Sequence, residues 1–182
     1  HSFPTRRSSD LDFVKTALGP KFKTAGLATK IYAYDHNYDY SDIATEKNYP
    51  GKMYEDAAAS QYLAGAAYHN YGGNREELLN IHKAYPEKEL LFTETSIGTW
   101  NSGRDLSKRL LEDMKEVALG TINNWCRGVI VWNLMLDNDR APNREGGCQT
   151  CYGAVDISNS DYKTIIRNSH YYIIDRKSTR LN

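Results

Sequence analysis

Polar and aromatic residues follow four short apolar runs of the sequence, at the point where each run stops. These groups are Asp35-His36-Asn37, His69-Asn70-Tyr71, Glu94 and Trp132-Asn133. They offer carboxylates for nucleophilic or acid–base chemistry, imidazole, phenol and amide groups for hydrogen bonds, and an indole face for an apolar surface. Catalytic groups at the ends of several strands are typical of a (β/α) barrel, whose active site lies at the carboxyl ends of its strands.

The apolar runs alternate with helical patterns, which predicts an α/β fold with a parallel sheet. The predicted strands are residues 30–34, 64–68, 90–93 and 128–131, and the predicted helices are residues 13–18, 54–63, 74–85 and 105–124. We expect Gly19-Pro20 to stop the first helix and the fourth strand to be buried on both faces. Four strands cannot close an eight-stranded barrel, so the pattern fits half a barrel or an open doubly wound sheet, and we favour half a barrel.

The two ends of the chain differ from the rest of the sequence. The first eleven residues, HSFPTRRSSDL, and the last eight, DRKSTRLN, resemble translated sequencing adapters. We therefore expect residues 1–11 and 175–182 to be non-native tails and residues 12–174 to be the biological segment, the alternative being two genuine basic tails. Without the tails, Lys+Arg is 18 and Asp+Glu is 21, a net charge of about −3. This balance argues against a nucleic-acid partner, which needs a basic face.

The cysteines are Cys126, Cys148 and Cys151, and the last two form a C-x-x-C pair. A structural zinc site usually has a second Cys or His pair at similar spacing, and the sequence has none. A local disulfide and two free thiols therefore both fit better than a metal, and we predict no cofactor. No apolar run approaches the ~18 to 20 residues that cross a bilayer. The sequence does not indicate an oligomeric state.

Four stretches resemble one known family. KIYAYDHN, GAAYHNYGG, LLFTETSIGTW, and VIVWNLMLD with PNREGG are similar to the fifth to eighth strands and their loops in glycoside hydrolase family 30, which includes the glucosylceramidases. This resemblance implies that residues 12–174 are the C-terminal half of a TIM (β/α)8 barrel, roughly strands 5 to 8. It also implies a retaining hydrolase of β-glucosidic bonds. The Cys-Gln-Thr-Cys loop resembles the bacterial branch that acts on β-1,6-glucans, while glucosylceramide-type and xylan-type substrates stay open.

The family's catalytic nucleophile is a glutamate at the end of strand seven, which the Phe-Thr-Glu-Thr stretch places at Glu94. A glycosidase that retains the anomeric configuration needs a second carboxyl group about 5 to 5.5 Å from the nucleophile, which protonates the leaving oxygen. In the family this acid/base residue belongs to an Asn-Glu-Pro motif, and no such motif occurs in the chain. We therefore expect this chain alone to be inactive, and to lack the small β-sandwich of the family. Position alone leaves a structural ion pair at the barrel rim as the alternative role for Glu94.

The substrate-binding residues implied by the resemblance are Asp35, His69, Tyr71, Trp132 and Asn133. The indole of Trp132 would face a pyranose ring or fill the barrel mouth. His69 and Tyr71 alternate along one strand and so project to one side, where they bind the sugar or Glu94, or pack against the helices.

For Asp35, a contact with a sugar hydroxyl and a salt bridge both stay open, whereas Asn133 is a candidate hydrogen-bond donor to Glu94. By family habit the protein is secreted or periplasmic. Two other functions remain. One is a non-catalytic carbohydrate-binding barrel. The other is a metal-dependent hydrolase that uses His36, His69 and Asp35. Metal-dependent barrels usually have a His-x-His pair on one strand, and the sequence has no such pair.

Overall fold

The structure is a computed structural model that describes residues 6–40 and 47–178, with side chains for residues 7–40 and 47–175. Its first elements are α1 (Arg6–Phe13), a π-helical turn (Val14–Leu18), α2 (Gly19–Thr24), β1 (Ile31–Asn37), α3 (Tyr49–Glu55), α4 (Ala57–Ser60), β2 (Leu63–His69), α5 (Glu76–Ala84), β3 (Glu89–Glu94) and β4 (Ile97–Gly98). There follow α6 (Leu106–Asp113), a second π-helical turn (Met114–Ala118), α7 (Leu119–Ile122), β5 (Cys126–Val129), β6 (Met135–Asp137), β7 (Cys151–Tyr152), β8 (Val155–Ile157), β9 (Ile165–Arg167) and α8 (Ser169–Ser178).

The chain forms two compact units. The first comprises the described residues up to Phe92 together with Asn124–Gly128, and the second comprises Thr93–Asn123 and the described residues from Val129 onward. Strand β3 therefore begins in the first unit and ends in the second. Each unit is described by itself below.

A sheet of four strands in the order β1-β2-β3-β5 organises the first unit. Strands β1 and β2 are parallel, with Ala33 opposite Ala66 and Asn37 opposite His69. Small residues allow the strands to approach closely, since a Cβ at Gly65 would lie 1.8 Å from the carbonyl oxygen of Glu89. The expected mixed α/β fold with a parallel sheet is confirmed.

Tyrosine rings fill the core of this unit around Tyr68, which is fully buried. The ring of Tyr34 lies 5.4 Å from that of Tyr68, and Tyr38 stacks on Tyr68 at 5.8 Å. Burial in this aromatic cluster raises the pKa of the Tyr68 and Tyr40 phenols. These tyrosines pack against one another in the core of the unit.

Strand β1 is longer than the sequence pattern predicted. It was expected to end at Tyr34, but it continues through Asn37, with a shift in register between Tyr34 and His36. Tyr34 and Asp35 have φ angles of 78° and 56°, which takes both outside the extended region. The polar residues thus belong to the strand itself, held by a bulge of the kind found near active sites.

The predicted helix stop at Gly19-Pro20 is wrong. Gly19 has a right-handed φ of −61°, and helix α2 starts there and continues to Thr24. The π-helical turn before it shifts the hydrogen bonding, and proline needs no N–H partner in the first turn of a helix. The glycine serves packing instead, because a Cβ at Gly19 would lie 2.3 Å from the ring of Tyr62.

Strand β5 lies two residues earlier than predicted, at Cys126–Val129. Ile130 was expected inside the strand but is 56% exposed, so burial on both faces is wrong. Strand β5 ends the four-stranded order, so within the described sheet it has a neighbour on one edge only.

Small strands and two helical segments build the second unit. Strands β4 and β7 pair antiparallel, β6 and β8 pair parallel, and β9 pairs antiparallel with β8. The helical segment predicted over residues 105–124 forms, with the carboxylate of Asp105 accepting a hydrogen bond from the backbone of Ser107 at its start. The apolar residues of this segment are only partly buried, since Val117 is buried whereas Leu106 is 37% exposed.

Arg109 and Asp113 of that segment are both buried although they are charged residues. Asp113 accepts hydrogen bonds from Arg109 at 2.5 and 2.9 Å and from Ser169 at 2.5 Å. The imidazole of His170 lies 3.8 Å from Asp113, and burial lowers its pKa to about 4. A polar cluster therefore joins α6 to α8.

The two flanks that resemble adapters contribute to helices, residues 6–11 to α1 and residues 175–178 to α8. The phenol of Tyr49 donates a hydrogen bond to Asp10. The non-native origin of these flanks stays a prediction, and residues 1–5 and 179–182 lie outside the described residues. Among the described helices, none is both long and apolar enough to span a bilayer.

Candidate functional site

The residues singled out from the sequence divide between the two units. Asp35, His69 and Tyr71 belong to the first unit. Glu94, Trp132 and Asn133 belong to the second, which therefore holds the expected nucleophile.

Glu94 is the last residue of β3 and is half-buried. Leu90 and Phe92 of the same strand are 2% and 0% exposed, so their packing fixes the strand that carries Glu94. The structure shows no ion pair or side-chain hydrogen bond for Glu94 among the described residues 93–123 and 129–178 of its unit. The carboxylate is thus positioned by its strand and available for chemistry.

Trp132 and Asn133 lie beside the end of β3. The backbone N–H of Trp132 donates to the carbonyl of Thr95, the residue after Glu94, at 2.8 Å. Asn133 has a φ of 70°, and its side-chain oxygen accepts from the N–H of Met135 at 3.1 Å. This bond fixes the amide group and leaves its nitrogen to donate elsewhere. Trp132 is half-buried, which suits either of its two expected roles.

A loop closed by a disulfide supports the segment that follows Glu94. Cys148 and Cys151 are bonded, which decides between the disulfide and the free thiols. Cys151 pairs with Gly98 in the β4–β7 ladder, and the N–H of Thr99 donates to the carbonyl of Thr150 at 3.0 Å. The disulfide loop is thus joined to β4 by backbone pairing.

Arg104 is a residue of this region that the sequence analysis missed. Its guanidinium lies 4.2 Å from the centre of the Tyr152 ring and 2.9 Å from the carboxylate of Asp156. Asp156 is fully buried and also accepts from Asn168 at 2.8 Å. No local pattern signals this contact, because Arg104 and Asp156 are 52 residues apart.

In the first unit, Asp35 and His69 form a pair, with Asp35 Oδ1 3.1 Å from His69 Nε2. His69 is buried, whereas the side chain of Asp35 is 64% exposed. Asp35 and His69 thus form a hydrogen-bonded pair, and both roles expected of Asp35 stay predictions.

Tyr71 lies beyond the end of β2, and its ring is 6.2 Å from that of His69, in an edge-to-face arrangement. The ring of His36 lies 6.1 Å from His69 on another side. The backbone of Tyr71 donates to Asn37 at 3.2 Å, which holds the two strand ends together. Among the described residues, no three His, Cys, Asp or Glu side chains are grouped to hold a metal ion.

The opposite end of β3 carries another glutamate, Glu89. It accepts from Lys30 at 2.7 Å, from Tyr32 at 2.5 Å and from Arg127 at 2.6 Å. The bonds from Lys30 and Tyr32 and the charge of Arg127 hold the pKa of Glu89 below its ordinary value. Burial and this carboxylate raise the pKa of Tyr32 to about 12. Glu89 is therefore a structural carboxylate.

Comparison with known proteins identifies the family. The sequence profile of the glycosyl hydrolase family 30 TIM-barrel domain matches residues 3–176. The chain belongs to glycosyl hydrolase family 30. The resemblance carried by the four strand-end stretches is confirmed, and the chain covers part of the family's TIM-barrel domain.

Two of the similar proteins are named as endo-β-1,6-glucanases. The endo-1,6-β-D-glucanase BGN16.3 of Trichoderma harzianum is 34% identical over 157 residues, 83% of this chain and 28% of that protein. The solved endo-β1,6-glucanase BT3312 is 85% identical with a TM-score of 0.91, over 93% of this chain and 37% of that one. SrfJ of Salmonella typhimurium, at 24% identity and a TM-score of 0.77 over 93% of this chain and 37% of that one, shares the fold. The chain thus spans about a third of the length of these proteins.

Proposed function

We propose that this chain carries the nucleophile-bearing part of a retaining glycoside hydrolase that cleaves β-glucosidic bonds, with Glu94 as the nucleophile. The observation that supports this most directly is the contrast within β3, where Glu89 is neutralised by three donors and Glu94 has no ion pair in its own unit. Glu89 has a structural role at the opposite end of the same strand. Glu94 follows a buried strand at the position where the family keeps its nucleophile.

In the proposed reaction, a Glu94 carboxylate oxygen attacks the anomeric carbon while the bond to the leaving oxygen breaks. A second carboxylic acid donates its proton to that oxygen. Water then hydrolyses the glycosyl-enzyme, with the second group acting as the base. We assign Trp132 to the apolar face of the sugar and Asn133 to a hydrogen-bond donor. Asp35, His69 and Tyr71 are proposed as sugar-binding residues on the strand ends of the first unit.

The proposed substrate is a β-glucan with β-1,6 linkages. The endo-1,6-β-glucanases among the relatives support this linkage, as does the Cys-Gln-Thr-Cys loop after PNREGG. We assign the chain to strands 5 to 8 of the barrel and the acid/base residue to a segment outside these residues. On this basis the 182-residue chain alone has no turnover.

A location outside the cytoplasm is proposed with the function. The Cys148–Cys151 disulfide supports it, because disulfides persist in oxidising compartments.

The test is to treat the full-length protein that contains this segment with a 2-fluoro-glucoside inactivator and to map the labelled peptide by mass spectrometry. We expect a stable glycosyl ester on Glu94 and its loss in Glu94→Gln. Glu89→Gln is the matched control, since it removes a glutamate from the same strand, and it should still be labelled. Label on another carboxylate would overturn the assignment of the nucleophile, and turnover by the 182-residue chain alone would overturn the proposed division of the site.

A further inference from the structure

The turn that follows β4 is unusually constrained for an exposed segment. Asn101 and Ser102 have φ angles of 48° and 56°, and the N–H of Gly103 donates to the carbonyl of Trp100 at 3.0 Å. A Cβ at Gly103 would lie 1.8 Å from the carbonyl oxygen of Gly98, so the turn folds back onto the strand. Consecutive non-glycine residues in left-handed conformations cost free energy and are concentrated at functional sites.

Trp100 projects from this turn with its ring against Gly98. A Cβ at Gly98 would lie 2.0 Å from the Trp100 ring, so the glycine makes room for the indole. The residue nevertheless remains 37% exposed. One part of the ring is therefore fixed by the strand while another part stays open to solvent.

Arg104 holds the end of the same turn. It bonds to the fully buried Asp156 at 2.9 Å and covers the ring of Tyr152 at 4.2 Å. Tyr152 in turn pairs with Ile97 in the β4–β7 ladder. The turn is thus supported at both ends, which pre-organises Trp100 before any ligand arrives.

We propose that Trp100 is a specificity-determining residue, a platform for a glucose unit of the β-glucan other than the one attacked by Glu94. This inference rests on the proposed function. An exposed and rigid indole offers an apolar face to the C–H groups of a pyranose ring at little entropic cost. Gly98, against which the Trp100 ring packs, is four residues after Glu94. The Cα atoms of Gly98 and Glu94 are therefore at most about 14 Å apart. This distance suits a neighbouring sugar of the chain better than the reacting one.

The experiment uses full-length protein with Glu94→Gln, so that ligands bind without turnover, and titrates it calorimetrically with β-1,6-linked glucose disaccharide and tetrasaccharide. We expect Trp100→Ala to weaken tetrasaccharide binding about tenfold, the loss of roughly one stacking contact, and to weaken disaccharide binding less. Trp100→Phe should recover part of the affinity. In the active enzyme, Trp100→Ala should raise KM for the tetrasaccharide more than it lowers kcat.

Trp125→Ala is the control, since Trp125 is also exposed but belongs to the first unit, where it stacks on His82 at 4.1 Å. It should bind the tetrasaccharide as the parent does. The platform role of Trp100 would be wrong if Trp100→Ala lost the same affinity for both ligands, if it lost no affinity, or if Trp125→Ala lost as much. None of these results would affect the proposal that the protein is a hydrolase. If the unsubstituted enzyme neither binds nor cleaves β-1,6-glucan, the proposed substrate fails and the platform fails with it.

Discussion

The two ends of β3 carry the same side chain in different environments. Glu89, at the start of the strand, is surrounded by Lys30, Tyr32 and Arg127, and its side chain is 12% exposed. Glu94, at the end, is half-buried and has no ion pair among the described residues of its unit. In (β/α) barrels the amino ends of the strands serve stability and the carboxyl ends serve catalysis. The same residue type thus has charged partners at one end of the strand and no ion pair within its unit at the other, where the proposed nucleophile lies.

Glu94→Gln tests this comparison with the largest expected effect. In the full-length enzyme we expect kcat on an aryl β-glucoside to fall by about 10⁴-fold or more, because the amide cannot form the glycosyl ester. The melting temperature should change little, since the carboxylate has no ion pair to lose within its unit. Steady-state kinetics and calorimetry measure the two quantities. Activity near that of the parent would remove Glu94 from the mechanism.

Glu89→Gln is expected to have the opposite effect. The variant should lose about 2 kcal/mol of unfolding free energy, since charged donors lose a charged acceptor, and should keep kcat/KM within about threefold. The lowered pKa of Glu89 adds stability above its unfolded pKa, and this contribution is lost as pH falls through the folded pKa. Urea denaturation at neutral pH gives the loss. An unchanged midpoint would show that the three contacts add nothing to stability.

His170 tests, in the second unit, how the surroundings of a buried group determine its effect on stability. Its charged neighbours there are Asp113 and Arg109. Its folded pKa of about 4 lies below the ordinary 6.5, so the unfolded chain binds the proton first. Stability from this group is complete above pH 6.5 and declines as pH falls towards 4. Between pH 7.5 and 5.5 the loss should be about 1.4 kcal/mol, and His170→Leu should remove that part of the slope. Equal slopes in urea denaturation of both proteins would contradict it.

Tyr32→Phe should have the smallest effect. It removes one of the donors to Glu89, and we expect a loss of about 1 kcal/mol in the same denaturation experiment. In the Glu89→Gln background the substitution should cost less, because the charged acceptor is gone. Purely additive losses would show that Tyr32 stabilises the unit without acting through Glu89.

The ends of β2 and β3 were predicted to within one residue, because an apolar run that stops abruptly is a local signal. Glu94 was placed correctly at the end of β3 for this reason. The stop at Gly19-Pro20 was wrong because these residue types also suit the first turn of a helix and a close approach by Tyr62. Burial of Arg109 and Asp113 has no local signal, because Ser169, which donates to Asp113, is distant in sequence. Arg104 was not predicted for the same reason, because its partner Asp156 comes close only in the folded chain.

The bulge in β1 makes position 35 a convenient target for engineering. The side chain of Asp35 is 64% exposed, so a substitution there exchanges its hydrogen bond to His69 of β2 for another contact at the surface. Its φ of 56° restricts the choice to residues that accept this conformation, above all glycine, asparagine and aspartate. Variation at this one site could therefore retune ligand preference without altering the β-sheet that holds it.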